Sequence, residues 1–259
     1  DSSSSRGLGD VYKRQNPLMA GVPDHSYLKF RNILLDNGYT IVRVDQLTAG
    51  PKSERDVVDV ASAGTVIDHD NGSDANFLVS IYITVCPAPE NQKIYCVGFS
   101  AIDIATANNY VHFVKSTVHD QQQWSDEVYK LLHNYNPREI LIHYEENELS
   151  LHVSELCHRW NISELTTHMN PLKDSRFAKV SYQNDYYQKI YPQSGLLTPL
   201  EYLGFEMSPE IALSHIYMID YIYQHKIENV REIKKPIHHE PEQHLSLSYN
   251  CMYQLYPVS

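Results

Sequence analysis

The sequence lacks the glycine patterns that phosphate chemistry needs. None of its ten glycines falls in G-x-x-x-x-G-K-S/T or G-x-G-x-x-G, so the chain holds neither a P-loop nor a dinucleotide fingerprint. It has no H-E-x-x-H, which removes one common helical zinc signature. Cysteine is scarce: Cys86, Cys96, Cys157 and Cys251 are far apart, with no C-x-x-C pair. That argues against a disulfide framework and fits reduced thiols in an intracellular protein, with nucleus, mitochondrion, virus-associated and bacterial compartments all left open. Positive charge is short as well, with 21 Lys and Arg against 32 Asp and Glu and a formal net charge of −11. Non-specific nucleic-acid binding would therefore need a local basic patch or a larger assembly. No apolar run approaches the roughly 20 residues of a membrane span.

What is present suits a globular chain. It has 259 residues, 42% of them apolar, which is enough for a real core in one large domain or two modest ones. Residues 1–15, DSSSSRGLGDVYKRQ, resemble translated adapter or linker sequence and are set apart from fold reasoning. The chain also stops at QLYPVS within a helical pattern, so a piece of a longer protein is expected.

The pattern predicts an α/β fold in three parts. In residues 16–70, DHSYLKFRNILLDNG has helical apolar spacing, with Asp24 as a candidate cap and Gly38 as a left-handed stop. YTIVRVDQ and ERDVVDVA then alternate as two strands, expected to pair antiparallel. Val57, Val58 and Val60 are expected to anchor the second strand on the helix, and Gly64 to turn the exit with a positive φ. Residues 75–172 predict three strong strands, then WSDEVYKLLHNY as a helix capped near Ser125 and closed at Asn136-Pro137. REILIHY follows as a buried parallel strand, ENELSLHVSELCHRW as a helix and ISELTTHM as a last strand. That order matches a ribonuclease-H-like mixed sheet with flanking helices. Residues 173–259 read as the start of an all-helical domain.

Few residues carry an obvious chemistry. A ribonuclease-H-like nuclease would clamp Mg²⁺ or Mn²⁺ between carboxylates, for which Asp103, Glu145 and Glu146 are the candidates. The first core strand, NFLVSIYITV, carries no carboxylate, so Asp103 reads better as a hydrogen-bonded cap at a strand end. His238, His239 and His244 match no zinc spacing and read as a solvated loop. His112, His133, His143, His152 and His158 read as satisfied or surface histidines. Cys86 and Cys96 read as packed strand residues. For DNA, the basic residues of the first part are Lys29, Arg31, Arg43, Lys52 and Arg55, against nine acidic residues from Asp24 to Asp74. Lys52 and Arg55 are the candidate DNA-backbone contacts, with a solvated loop as the alternative.

Several segments in fixed order resemble the MutS family. Met19, Gly21, Val22, Pro23 and His25 match M-x-G-I/V-P-x-H. Gly38, Tyr39, Val42, Asp45 and Gln46 match the strand that follows. Arg55, Asp56, Val57, Val58, Val60, Ser62, Gly64 and Thr65 match R-E/D-V-V/T-x-V/I-x-S/T-x-G-T, with Ala63 where the family usually has proline. NFLVSIYI, VGFSAIDIATA, NPREILI and LSLSYNCMYQL match later segments, so the resemblance spans residues 17 to 256. It implies the second half of a mismatch-recognition domain, a connector domain and the start of a helical core. The Tyr-rich flavour is similar to a divergent branch found in large DNA viruses and octocoral mitochondria. The resemblance further implies a whole protein that binds mismatched duplex DNA and is an ATPase using ATP and Mg²⁺. It implies a homo- or heterodimer formed through C-terminal domains, and a repair partner at the connector. The family's Phe-x-Glu mismatch wedge lies upstream of Met19, so this segment is expected to carry no catalysis and no wedge.

Overall fold

The structure, a computed structural model, describes residues 23–48, 54–65, 76–89, 93–120, 122–144, 153–171, 176–225 and 233–239. The chain divides into two compact units, Asp1–Ala63 and Gly64–Ser259.

In the first unit, a short 3-10 turn leads into helix α1, Tyr27–Asp36. Ser26 occupies the N-cap position, two residues later than the expected Asp24. The helix stops as expected: Gly38 is left-handed at φ 77, and its N–H and that of Tyr39 donate to Leu35 and Leu34. Strands β1, Ile41–Gln46, and β2, Arg55–Ala61, pair antiparallel with a register shift at Arg43/Val44. Many apolar side chains of this unit face outward, among them Leu28, Phe30, Ile33, Val42 and Val44. Val58 is also exposed, so of the three valines expected to anchor β2 only Val57 and Val60 are partly buried.

The second unit is built on a six-stranded mixed sheet. Strands β3, Phe77–Pro87, β4, Lys93–Asp103, and β5, Asn109–Lys115, run antiparallel in sequence order. Helix α2, Gln123–Tyr135, leads to β6, Glu139–Tyr144, which lies parallel to β3. Helix α3, Val153–Arg159, leads to β7, Thr166–Pro171, parallel to β6. Helices α4, Val180–Ile190, α5, Pro199–Leu203, and α6, Pro209–Gln224, follow. A two-residue strand β8, Ile237–His238, closes the order β7-β6-β3-β4-β5-β8. Three antiparallel strands followed by parallel ones with helices between them is the arrangement the sequence predicts.

Side-chain alternation gives the sheet two buried faces. Val79, Ile81, Val97, Phe99, Ile140 and Ile142 pack with Trp124, Val128, Leu132 and Trp160 on the α2/α3 side. Leu78, Tyr82, Ile102, Val111 and Leu141 pack with Ile211, Ile216 and Ile219 of α6 on the other. Ser125, expected as a helix cap, is buried within α2, where its Oγ and carbonyl accept from the Trp160 indole. The N-cap position is held by the nearby Gln122 without a side-chain cap bond, and Asp120 Oδ1 just upstream accepts from the N–H groups of Gln122 and Gln123.

The expected boundary at residue 172 does not separate the helices from the sheet. Helix α6 is apolar around most of its circumference, with Ile211, Ala212, Leu213, Ile216, Met218, Ile219 and Ile222 all buried. A helix of that kind needs cover on several sides, and the sheet provides one of them. Ser214 Oγ donates to the carbonyl of Ser80 at 3.0 Å and also lies 2.7 Å from Ser100 Oγ, both on the facing strands. At Gly98 the backbone of α6 comes so close that a Cβ would collide with Glu210. The segment LSLSYNCMYQL lies outside the described residues. No helix among the described residues is long and apolar enough to cross a membrane.

Candidate functional site

Of the two expected DNA-backbone contacts, Arg55 opens β2, is exposed and sits opposite Gln46. Lys52 lies outside the described residues. The neighbouring cation Arg43 is held by Asp45 at 2.8 Å and stands 5.3 Å from the Tyr27 ring centre.

Asp103 is engaged as a cap. Its Oδ1 accepts from the N–H groups of Asn76 and Ala105 at 3.2 and 3.1 Å, and its Oδ2 from Thr106 Oγ1 at 2.6 Å. It thereby ties the end of β4 to the residue entering β3 and closes the following turn. Glu145 and Glu146 lie outside the described residues. Among the described residues, no group of three or more His, Cys, Asp or Glu could hold a metal ion.

The histidine pair at the chain's later end is not a solvated loop. His238 sits in β8 beside β5, and the buried His239 places Nδ1 2.9 Å from the Tyr135 hydroxyl. Strand pairing to Val111 fixes this geometry. His112, whose ring centre lies 5.5 Å from that of His239, is held below the ordinary imidazole value mainly by burial. Cys96 and Cys157 are buried in the core and Cys86 is partly buried, while Cys251 lies outside the described residues. Burial, reinforced by neighbouring Cys86, pushes the Cys96 thiol up to about 12.

The most concentrated polar chemistry centres on Glu139, which lies in the NPREILI segment but is not among the expected site residues. Glu139 opens β6 and is fully buried. Its Oε2 accepts from the backbone N–H of Gly64 at 2.8 Å. Its Oε1 accepts from the Tyr221 hydroxyl at 2.7 Å and lies 2.6 Å from His168 Nε2. Tyr221 Oη and His168 Nε2 are themselves 3.2 Å apart. Strand β6 supplies Glu139, β7 supplies His168, α6 supplies Tyr221, and the turn before β3 supplies Gly64. Gly64 is not in the left-handed region expected of it. It is required for closeness, since a Cβ there would stand 2.6 Å from Glu139 Cβ.

Beside this cluster opens a cleft of about 290 Å³. It is lined by Leu141 and His143 of β6, His168 and Asn170 of β7, and Asp220 and Gln224 of α6. Phe177 and Tyr217 complete it as an aromatic wall, ring centres 4.9 Å apart and tilted 64°. The His143 ring stacks on Tyr217 with centres 4.1 Å apart. His143 was expected to be satisfied or at the surface. It is instead buried, its Nε2 has no hydrogen-bond partner, and burial lowers its pKa to about 4. Asp220 accepts from Gln224 Nε2 at 2.6 Å and from the Tyr186 hydroxyl at 3.4 Å.

Comparison with known proteins finds similarity to one family. The family model "MutS domain I" matches residues 6–70, a span that opens inside the stretch set apart as linker-like. A DNA mismatch repair protein mutS homolog of Acanthamoeba polyphaga mimivirus is 29% identical over 94% of this chain and 23% of its own length. Along most of its length the chain is thus similar to DNA mismatch repair proteins of the MutS family. The DNA mismatch repair protein MutS of Streptococcus agalactiae is 25% identical over 89% of this chain and 22% of its own length. The chain spans less than a quarter of these two relatives. Among solved structures, the Fowlpox virus Holliday junction resolvase covers 57% of the chain and 98% of its own at 14% identity and a TM-score of 0.37, a likeness that carries no argument. The whole chain lacks a phosphate-cradling glycine loop, and the described residues lack a metal-ligating cluster.

Proposed function

We propose that this chain is part of a protein that recognises mismatched duplex DNA in mismatch repair and couples that recognition to ATP hydrolysis elsewhere in its length. The observation that carries the reading is the similarity to mismatch repair proteins along 94% and 89% of the chain. On this reading the first unit belongs to the mismatch-recognition domain. The sheet unit acts as a connector that relays changes between DNA-binding and ATP-hydrolysing parts and offers a surface to a repair partner. Lys52 and Arg55 contact the DNA backbone, the whole protein works as a homo- or heterodimer, and this segment itself performs no catalysis.

A metal-dependent nuclease centred on Asp103 is the weaker reading, because the carboxylate already serves three donors as a cap. The test is steady-state ATP hydrolysis by the whole protein, titrated with matched and singly mismatched duplex. A rate that responds differently to the mispair is expected. A rate indifferent to it, or no hydrolysis, contradicts the proposal.

A further inference from the structure

The cleft between β6, β7 and α6 plays no part in the DNA reading, and its chemistry selects a ligand class. Asp220 lines it and Glu139 is buried beside it, while no Lys or Arg is among its described lining residues. Its other titratable side chains among the described residues are His143, His168, Tyr217 and Tyr221. Asn170 and Gln224 add amide groups, and Phe177 and Tyr217 add aromatic surface. His143 is only 7% exposed, and its Nε2 is left without a partner. Leaving a buried polar atom unsatisfied forfeits its hydration, and such an atom in a native structure calls for an explanation. With the ring proton on Nδ1, that nitrogen is an acceptor. The volume of about 290 Å³ sits at the small end of ligand clefts, which run from about 300 to 1,000 Å³. It suits a side-chain-sized group rather than a nucleotide.

We propose that this cleft binds a guanidinium group, with the Asp220 carboxylate as its counter-charge, the Asn170 and Gln224 carbonyl oxygens as further acceptors, and the Phe177–Tyr217 wall as its stacking surface. A guanidinium is planar, presents five donors in a rigid fork and stacks on aromatic faces. An ammonium lacks both the plane and the fork. A carboxylate has about four lone-pair sites and can accept from several donors at once, and Gln224 and Tyr186 are among the partners Asp220 already holds. The group can arrive on an arginine side chain of a partner protein or on a free small molecule. The inference stands apart from the DNA reading.

NMR titration of the full chain tests it, with N-acetyl-arginine-N-methylamide and free L-arginine as probes and the matching citrulline and lysine compounds as controls. Saturable shifts at the Asn170 and Gln224 amides and at the His143 ring are expected with the arginine probes. Tighter binding of the capped probe points to a partner's side chain, and tighter binding of free arginine to a metabolite. The citrulline compound, and the arginine probes on Asp220→Asn, should bind at least about tenfold more weakly, the scale of one charge-assisted hydrogen bond. The exposed Asn170→Ala should also weaken binding, and it serves if Asp220→Asn disturbs the fold. Absence of saturable shifts, equal binding of the citrulline or lysine compound, or undiminished binding by a folded Asp220→Asn overturns the proposal.

Discussion

Glu139 shows how much one side chain can hold. A fully buried carboxylate is costly unless its lone pairs are filled, and here a backbone N–H, a hydroxyl and an imidazole fill them. Glu139→Ala should therefore lower stability by about 3 kcal/mol, because it strands the partners of a buried charge. A urea midpoint within error of wild type would contradict this. His143 gives a prediction in pH. Its folded pKa of about 4 lies below the unfolded value near 6.5. As pH falls below about 6.5 the unfolded chain takes up the proton first. Stability is thus full above that value and declines down to about 4, by on the order of 3 kcal/mol. Burial lowers His215 in the same direction, to about 3. The ring shifts of His143 should still be those of neutral imidazole at pH 5, and a midpoint near 6.5 would contradict the burial argument. The role of neither residue was legible in the sequence. Glu139 belongs to the family-like NPREILI segment, but its partners lie 75, 29 and 82 residues away. Asp103 was legible, because its partners Ala105 and Thr106 are close in sequence and it ends an alternating strand.

Elements were easier to read than the relations between them. The β3–β4–β5 meander, the buried β6 strand and the α6 helix all follow from periodicity, since each buries a face its own residues announce. The place of α6 did not follow. A helix apolar on most sides is equally at home in an all-helical domain or against a sheet. The deciding features are Gly98, which lets the two backbones approach, and Ser214, which bonds to the strands. Gly98→Ala should cost about 2 kcal/mol or more, because backbone rather than a flexible side chain stands in the way. Ser214→Ala should cost about 1 kcal/mol for the hydrogen bonds lost. Sharing one interface, the two changes should couple in a double-mutant cycle. Urea unfolding of the four proteins measures this, and strict additivity or a neutral Gly98→Ala would mean that α6 does not seat on the sheet in this way.

At the scale of the molecule, the resemblance to the MutS family came through motif order rather than through any single site. The chain is acidic and carries no phosphate loop, so under the proposed function its share in DNA recognition would rest on a few cations and on the protein around it. If Lys52 and Arg55 touch phosphates, replacing either with Ala in the whole protein should weaken binding to every duplex alike. Each replacement should also flatten the dependence of log K on log salt by about one. Unchanged slopes would remove both from the interface. The most direct measurement is the equilibrium affinity of the whole protein for two duplexes, identical but for one mispair, at one salt concentration. The account predicts tighter binding to the mismatched duplex by about tenfold or more, a difference of at least about 1.4 kcal/mol. Equal affinity for the two would contradict it.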